Sequence, residues 1–63
     1  MPDAIDRVTD DRRREIFAAL VAAQDAGVPV ARSRAEVAER FGVTREAVAS
    51  IEREGMDNEW PPL

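Results

Sequence analysis

Apolar positions Ile16, Phe17, Leu20 and Val21 recur at helical spacing through an Ala-rich background of Ala18, Ala19, Ala22 and Ala23. The spacing predicts a long first helix over about 9–26. Thr9 or Asp10 can cap its start, and Asp10 and Asp11 sit against the positive end of the helix dipole. Gly27 ends it by taking the left-handed conformation, with Val28 supplying the accompanying apolar contact and Pro29 unable to continue the helix. Residues 28–32 then read as a connector. Upstream, Asp3 to Val8 could add a short turn carrying Ile5 and Val8, and the pattern decides nothing there.

Ser33-Arg34-Ala35-Glu36 has the form of a capping box, in which the serine hydroxyl accepts from the Glu36 amide and the Glu36 side chain returns to the Ser33 amide. A second helix therefore starts at Ser33. It presents Val37, Ala38 and Phe41 on one face and stops at Gly42, where positive φ is cheap. After Val43, Thr44 caps a third helix from Arg45 to about Glu54, with Ala47, Val48 and Ile51 as its apolar positions and Gly55 as its stop. The tail, Met56 to Leu63, holds the single Trp and two of the four Pro, which argues against a further long helix. The fold class expected is all-α: one domain over 1–63, with a helix-turn-helix at 33–54 and a short extended C-terminal tail at 56–63.

Composition narrows what such a domain can do. A chain of 63 residues with 44% hydrophobic and 35% charged residues makes at most one very small soluble domain. It buries only about 60% of the surface its unfolded form exposes, so its core must be compact. With no Cys and no His, disulfides, thiolate nucleophiles, imidazole bases and the common zinc ligand sets are all excluded. No cofactor, metal site or catalytic residue is expected, because Glu36, Glu39 and Glu46 fall on solvated helix faces and no nucleophile–base pair exists. The longest apolar-rich stretch, Ile16 to Ala26, is interrupted by Gln24 and Asp25 and falls far short of the ~20 residues that span a bilayer, so no membrane partner is expected. The start, Met1-Pro2-Asp3-Ala4, is acidic where a secretory signal would be basic, and predicts a cytoplasmic product.

Two short helices joined by a Gly-containing turn, the second capped by Thr, have the spacing of a helix-turn-helix. Ala38 falls where the two helices approach closely, Gly42 on the tight turn, and Val37, Phe41, Val43, Val48 and Ile51 on core-facing positions. Such a unit turns the outer face of its last helix toward the major groove of double-stranded DNA. Here that face carries Thr44, Arg45, Glu46, Ala49, Ser50 and Arg53, with Arg34 as a candidate phosphate contact from the preceding helix. Arginine can fork onto guanine O6 and N7, and glutamate can accept from cytosine N4. The plainer alternative is a solvated first turn in which Glu46 complements the helix dipole and Arg45 contacts nothing specific.

At these residues the chain resembles region four of bacterial primary sigma factors, in the helix-turn-helix that reads the upstream promoter element. The likeness runs over Glu36-Val37-Ala38-Glu39-Arg40-Phe41-Gly42-Val43-Thr44-Arg45-Glu46-Ala47-Val48-Ala49-Ser50-Ile51-Glu52. It implies a bacterial DNA-binding protein of transcription, with Arg45 and Glu46 contacting bases. The chain departs from the family pattern at Ala47 and Ala49, where basic residues are usual, at Ser50, where Gln or a similar reader is usual, and in its acidic tail.

Charge bears directly on that expectation. Nine basic residues, all Arg, stand against thirteen acidic ones, a net of −4. Over residues 28–55, five Arg meet five Glu, a net of zero where phosphate binding ordinarily draws on a basic excess. An isolated domain should therefore bind DNA weakly, and dimerisation as a homodimer, or tethering to RNA polymerase, would raise the effective concentration. The run Arg12-Arg13-Arg14 could grip a phosphate or an acidic partner, or simply form a solvated face beside Asp10 and Asp11. Trp60, Pro61, Pro62 and Leu63 have two readings: Trp60 and Leu63 cover the groove between the first and third helices, or Trp-Pro-Pro-Leu docks on a partner protein. The second belongs with a wider alternative, an interaction module on the same scaffold that docks on RNA polymerase or a regulator and has lost DNA binding.

Overall fold

The computed structural model describes residues 9–61. Three helices follow one another, α1 (Asp10–Asp25), α2 (Val30–Phe41) and α3 (Arg45–Asp57), and each packs on the other two. There is no strand among the described residues. The expected all-α three-helix fold is the one observed; the possible turn at 3–8 lies outside the described residues, as do Pro62 and Leu63.

Thr9, not Asp10, caps α1: its Oγ1 accepts from the Arg12 amide at 3.1 Å, while Asp10 turns to the Arg13 guanidinium. The far end closes as the glycine predicts. Gly27 takes φ +97°, the Val28 amide donates to Ala23 O at 3.1 Å and the Gly27 amide to Gln24 O at 3.0 Å, a paired motif that satisfies carbonyls the helix end would leave bare.

The start of α2 corrects the sequence reading. The helix begins at Val30, directly after Pro29, and no side chain caps it. Pro29 holds Val28 out of the helical region and nothing after it opposes helix, so the proline sets the boundary and the connector shrinks. Ser33 is therefore an interior residue, fully buried, whose hydroxyl donates to Val30 O at 2.7 Å. Glu36 does not return to the Ser33 amide, which donates instead to Pro29 O at 2.8 Å; Glu36 pairs with Arg32 at 3.0 Å.

The turn into α3 follows the expected pattern. Gly42 has φ +70°, the Val43 amide donates to Ala38 O at 3.0 Å, and Thr44 Oγ1 accepts from the Ala47 amide at 3.0 Å. Val37, Ala38, Val48 and Ile51 are buried, and Phe41 and Val43 pack half-buried against the same core.

Gly55 does not stop α3, which runs on to Asp57. The glycine is there for contact, because a Cβ at this position would overlap the ring of Phe17 on α1. Its absence lets the two helices close on each other. The helix ends instead with Glu59 at φ +52°, the left-handed position usually given to glycine, and the Trp60 amide donates back to Gly55 O at 2.9 Å. That reversal folds Trp60 onto the core at 7% exposure, edge-on to Phe17 with ring centroids 6.0 Å apart. Ile16, Phe17 and Leu20 of α1 lie beneath, fully buried.

Two glycine substitutions should therefore have opposite signs in denaturant unfolding. Gly55→Ala is expected to lower stability by about 1–3 kcal/mol, since overpacking against Phe17 outweighs the gain in helix propensity. Glu59→Gly is expected to raise it by about 0.5–1 kcal/mol, by relieving a left-handed residue at a cost only in chain entropy. A stabilising Gly55→Ala would mean that α1 and α3 are not in close contact there.

Candidate nucleic-acid interface

The core contacts of α3 decide which way its other side faces. Ala47, Val48, Ile51 and Gly55 are buried, so the opposite side, with Arg45, Glu46, Ser50 and Arg53, is exposed, and Ala49 is half-buried at its edge. Thr44 is exposed at the leading end, its hydroxyl engaged in the cap. The sequence-predicted face is thus a single surface. The tight Gly42 turn joins α2 to α3, and Arg45, the first residue of α3, is exposed.

The arginines separate this face from the rest of the surface. Arg12 pairs with Glu15 at 3.3 Å and lies over the Phe41 ring, 4.7 Å from its centroid; Arg40 lies over the same ring at 5.5 Å. Arg13 meets Asp10 and, across the helix interface, Glu54 at 3.2 Å; Arg14 covers Trp60, 5.3 Å from the ring centroid. Arg32 is paired with Glu36 at 3.0 Å. The run Arg12-Arg13-Arg14 thus ties α1 to the other elements and is not a free basic grip. Among the described residues only Arg45 and Arg53 have neither a carboxylate nor an aromatic ring, and both lie on the outer side of α3.

Arg34 is placed differently from expectation. Its Nε donates to Glu52 Oε1 at 2.8 Å, and the Glu52 carboxylate, only 14% exposed, also accepts from Gln24 Nε2 at 3.4 Å. Gln24 donates in turn to Ser33 Oγ at 3.2 Å. Four side chains therefore join the end of α1, the start of α2 and the middle of α3. Arg34 is thus part of a brace between α2 and α3, and its guanidinium is not held free for phosphate. Sequence reasoning missed this set because Ser33 was placed at a helix cap; with the helix begun at Val30, Ser33 lies one turn before Val37 on the buried face.

Beside the brace runs an open groove of about 520 Å³ lined by Val30, Arg34, Ala49, Arg53 and Met56. Val30 and Met56 are the large apolar side chains most exposed here, at 47% and 58%. Trp60 is not the exposed anchor that the docking reading of the tail required. The indole is buried against Phe17, which removes it from any partner surface; Pro61 is exposed, and Pro62 and Leu63 lie outside the described residues.

Among the described residues no cluster of three or more acidic groups could hold a metal ion, and no helix is long and apolar enough to cross a membrane. Comparison with protein-family models, curated proteins and solved structures found no match.

The brace should be measurable apart from any ligand. Glu52→Ala leaves two donors without their acceptor and is expected to cost about 1–3 kcal/mol in unfolding free energy. Glu36→Ala, which breaks only an exposed pair within one helix, should change stability by less than ~0.5 kcal/mol. Equal effects of the two substitutions would show that Glu52 carries no interhelical load.

Proposed function

We propose that this chain is a sequence-reading DNA-binding domain of transcription, with α3 as the helix that enters the major groove. The observation that carries the reading is the position of Arg45 and Arg53: the two guanidiniums without an internal partner among the described residues both lie on the exposed side of the second helix of a helix-turn-helix. Arg45 at the leading end would fork onto a guanine, Glu46 beside it would accept from a cytosine amino group, and Ser50 and Arg53 would follow the groove outward. The likeness of residues 36–52 to region four of primary sigma factors supports the same assignment. Such a domain works without a catalytic step.

Two free arginines beside one glutamate, in a helix-turn-helix span of zero net charge, make a weak phosphate grip, so the domain would act where something else holds it near DNA. Tethering to RNA polymerase is the arrangement the resemblance suggests. A second reading, an interaction module on this scaffold that does not touch DNA, is favoured by the exposed Val30 and Met56 along the groove beside α3.

Titration with duplex DNA at low salt decides between them. Binding is expected to fall with salt along a slope in log–log form no steeper than about −2, since about two phosphates can be neutralised. Arg45→Ala should cost about 1–3 kcal/mol at a single base position and leave the rest of the preference unchanged. Amide-shift changes should gather at Thr44 to Arg53. Absence of binding to any duplex at low salt would overturn the proposal in favour of the interaction module.

A further inference from the structure

The outer side of α3 is complementary to itself. Glu46, Ala49, Ser50 and Arg53 stand at i, i+3, i+4 and i+7, the spacing of one continuous stripe on a helix. The two inner members are small and the two outer ones carry opposite charge. Two such helices laid antiparallel, about a two-fold axis between Ala49 and Ser50, bring Glu46 of each copy opposite Arg53 of the other. The small centre permits the close axial approach that larger side chains would block. In the same register the exposed Met56 of one copy falls opposite the turn at 42–44 of the other, at the end of the contact.

We propose that a second copy of this chain docks on the outer face of α3, through an antiparallel α3–α3 contact held by two reciprocal Glu46–Arg53 pairs. The occupant follows from charge complementarity. A basic partner would meet Arg53 and an acidic one would meet Glu46, whereas the same stripe reversed satisfies both. Two-fold contacts of this kind close on themselves and stop at two copies. One helix face and its flanking groove fall below the ~1,200 Å² of a stable complex, so the association is weak and concentration-dependent. The inference stands independently of DNA binding. If α3 also reads DNA, the two uses compete, because Arg53 cannot face a second copy and a duplex together.

Sedimentation equilibrium of the full 63-residue chain at low salt, from ~10 µM to ~1 mM, tests the proposal in the range where such small interfaces associate. Its average mass is expected to rise toward that of two chains. Arg53→Glu and Glu46→Arg should each weaken self-association about tenfold or more, by placing like charges opposite one another. The combined variant E46R/R53E exchanges the two charges and should regain the dimer. Both positions are exposed, and circular dichroism of each variant checks that the helices are retained. A chain that stays monomeric throughout, a dimer indifferent to the single reversals, a combined variant that stays monomeric, or assembly beyond two copies would each overturn it. Failure to bind DNA in the titration above would leave these outcomes unchanged, so the two proposals fail separately.

Discussion

The contact on which the rest of this structure depends is the ring of Phe17 against the bare backbone of Gly55. A domain this small has two phenylalanines and one tryptophan to fill its core, and every ångström between α1 and α3 would be a layer it cannot pack. Removing one side chain from α3 lets a large ring from α1 sit directly on the helix backbone. Trp60 then closes over the same ring, delivered by a helix end that reverses through Glu59. The unfavourable dihedral of Glu59 and the poor helix propensity of Gly55 are both offset at one place, by burial of the largest apolar surface in the chain.

Polar groups complete what the small core leaves undone. The Gln24–Ser33–Glu52–Arg34 set joins all three helices at the end of the molecule away from Trp60, and the arginines of α1 tie down Phe41, Glu54 and Trp60 near the other end. Arginine suits this work because its flat cation can cover an aromatic ring and donate to a carboxylate from the same stem. Most of the arginines among the described residues are thus absorbed by the fold.

Much of the architecture was legible from the residues, and the failures have a common cause. Thr44, Gly27 and Gly42 act locally: a hydroxyl three residues before an amide, or a glycine after a helical run, decides its own conformation, and each was read correctly. Gly55 and Ser33 were read by the same local rules and misplaced. Their roles are set by partners on another helix, Phe17 for Gly55, 38 residues away, and Gln24 for Ser33 once Pro29 has started α2 at Val30, and a capping pattern contains neither. Trp60 shows the intermediate case: the residues left open burial over the groove between the first and third helices or docking on a partner, and the fold places the indole against Phe17. The outer face of α3 was legible as a surface because the buried positions of the helix repeat regularly; that Arg34 would be drawn into a brace was not.

Arg45, Ser50 and Arg53 hold nothing together: no helix end, core contact or interhelical bond passes through their side chains. The scaffold is consequently indifferent to what these positions carry. Selection could rewrite this surface residue by residue, changing what it recognises, without the loss of folding that a substitution at Phe17, Ser33 or Gly55 would bring. In a protein with so small a core, that separation of duties is what leaves room for the surface to diversify.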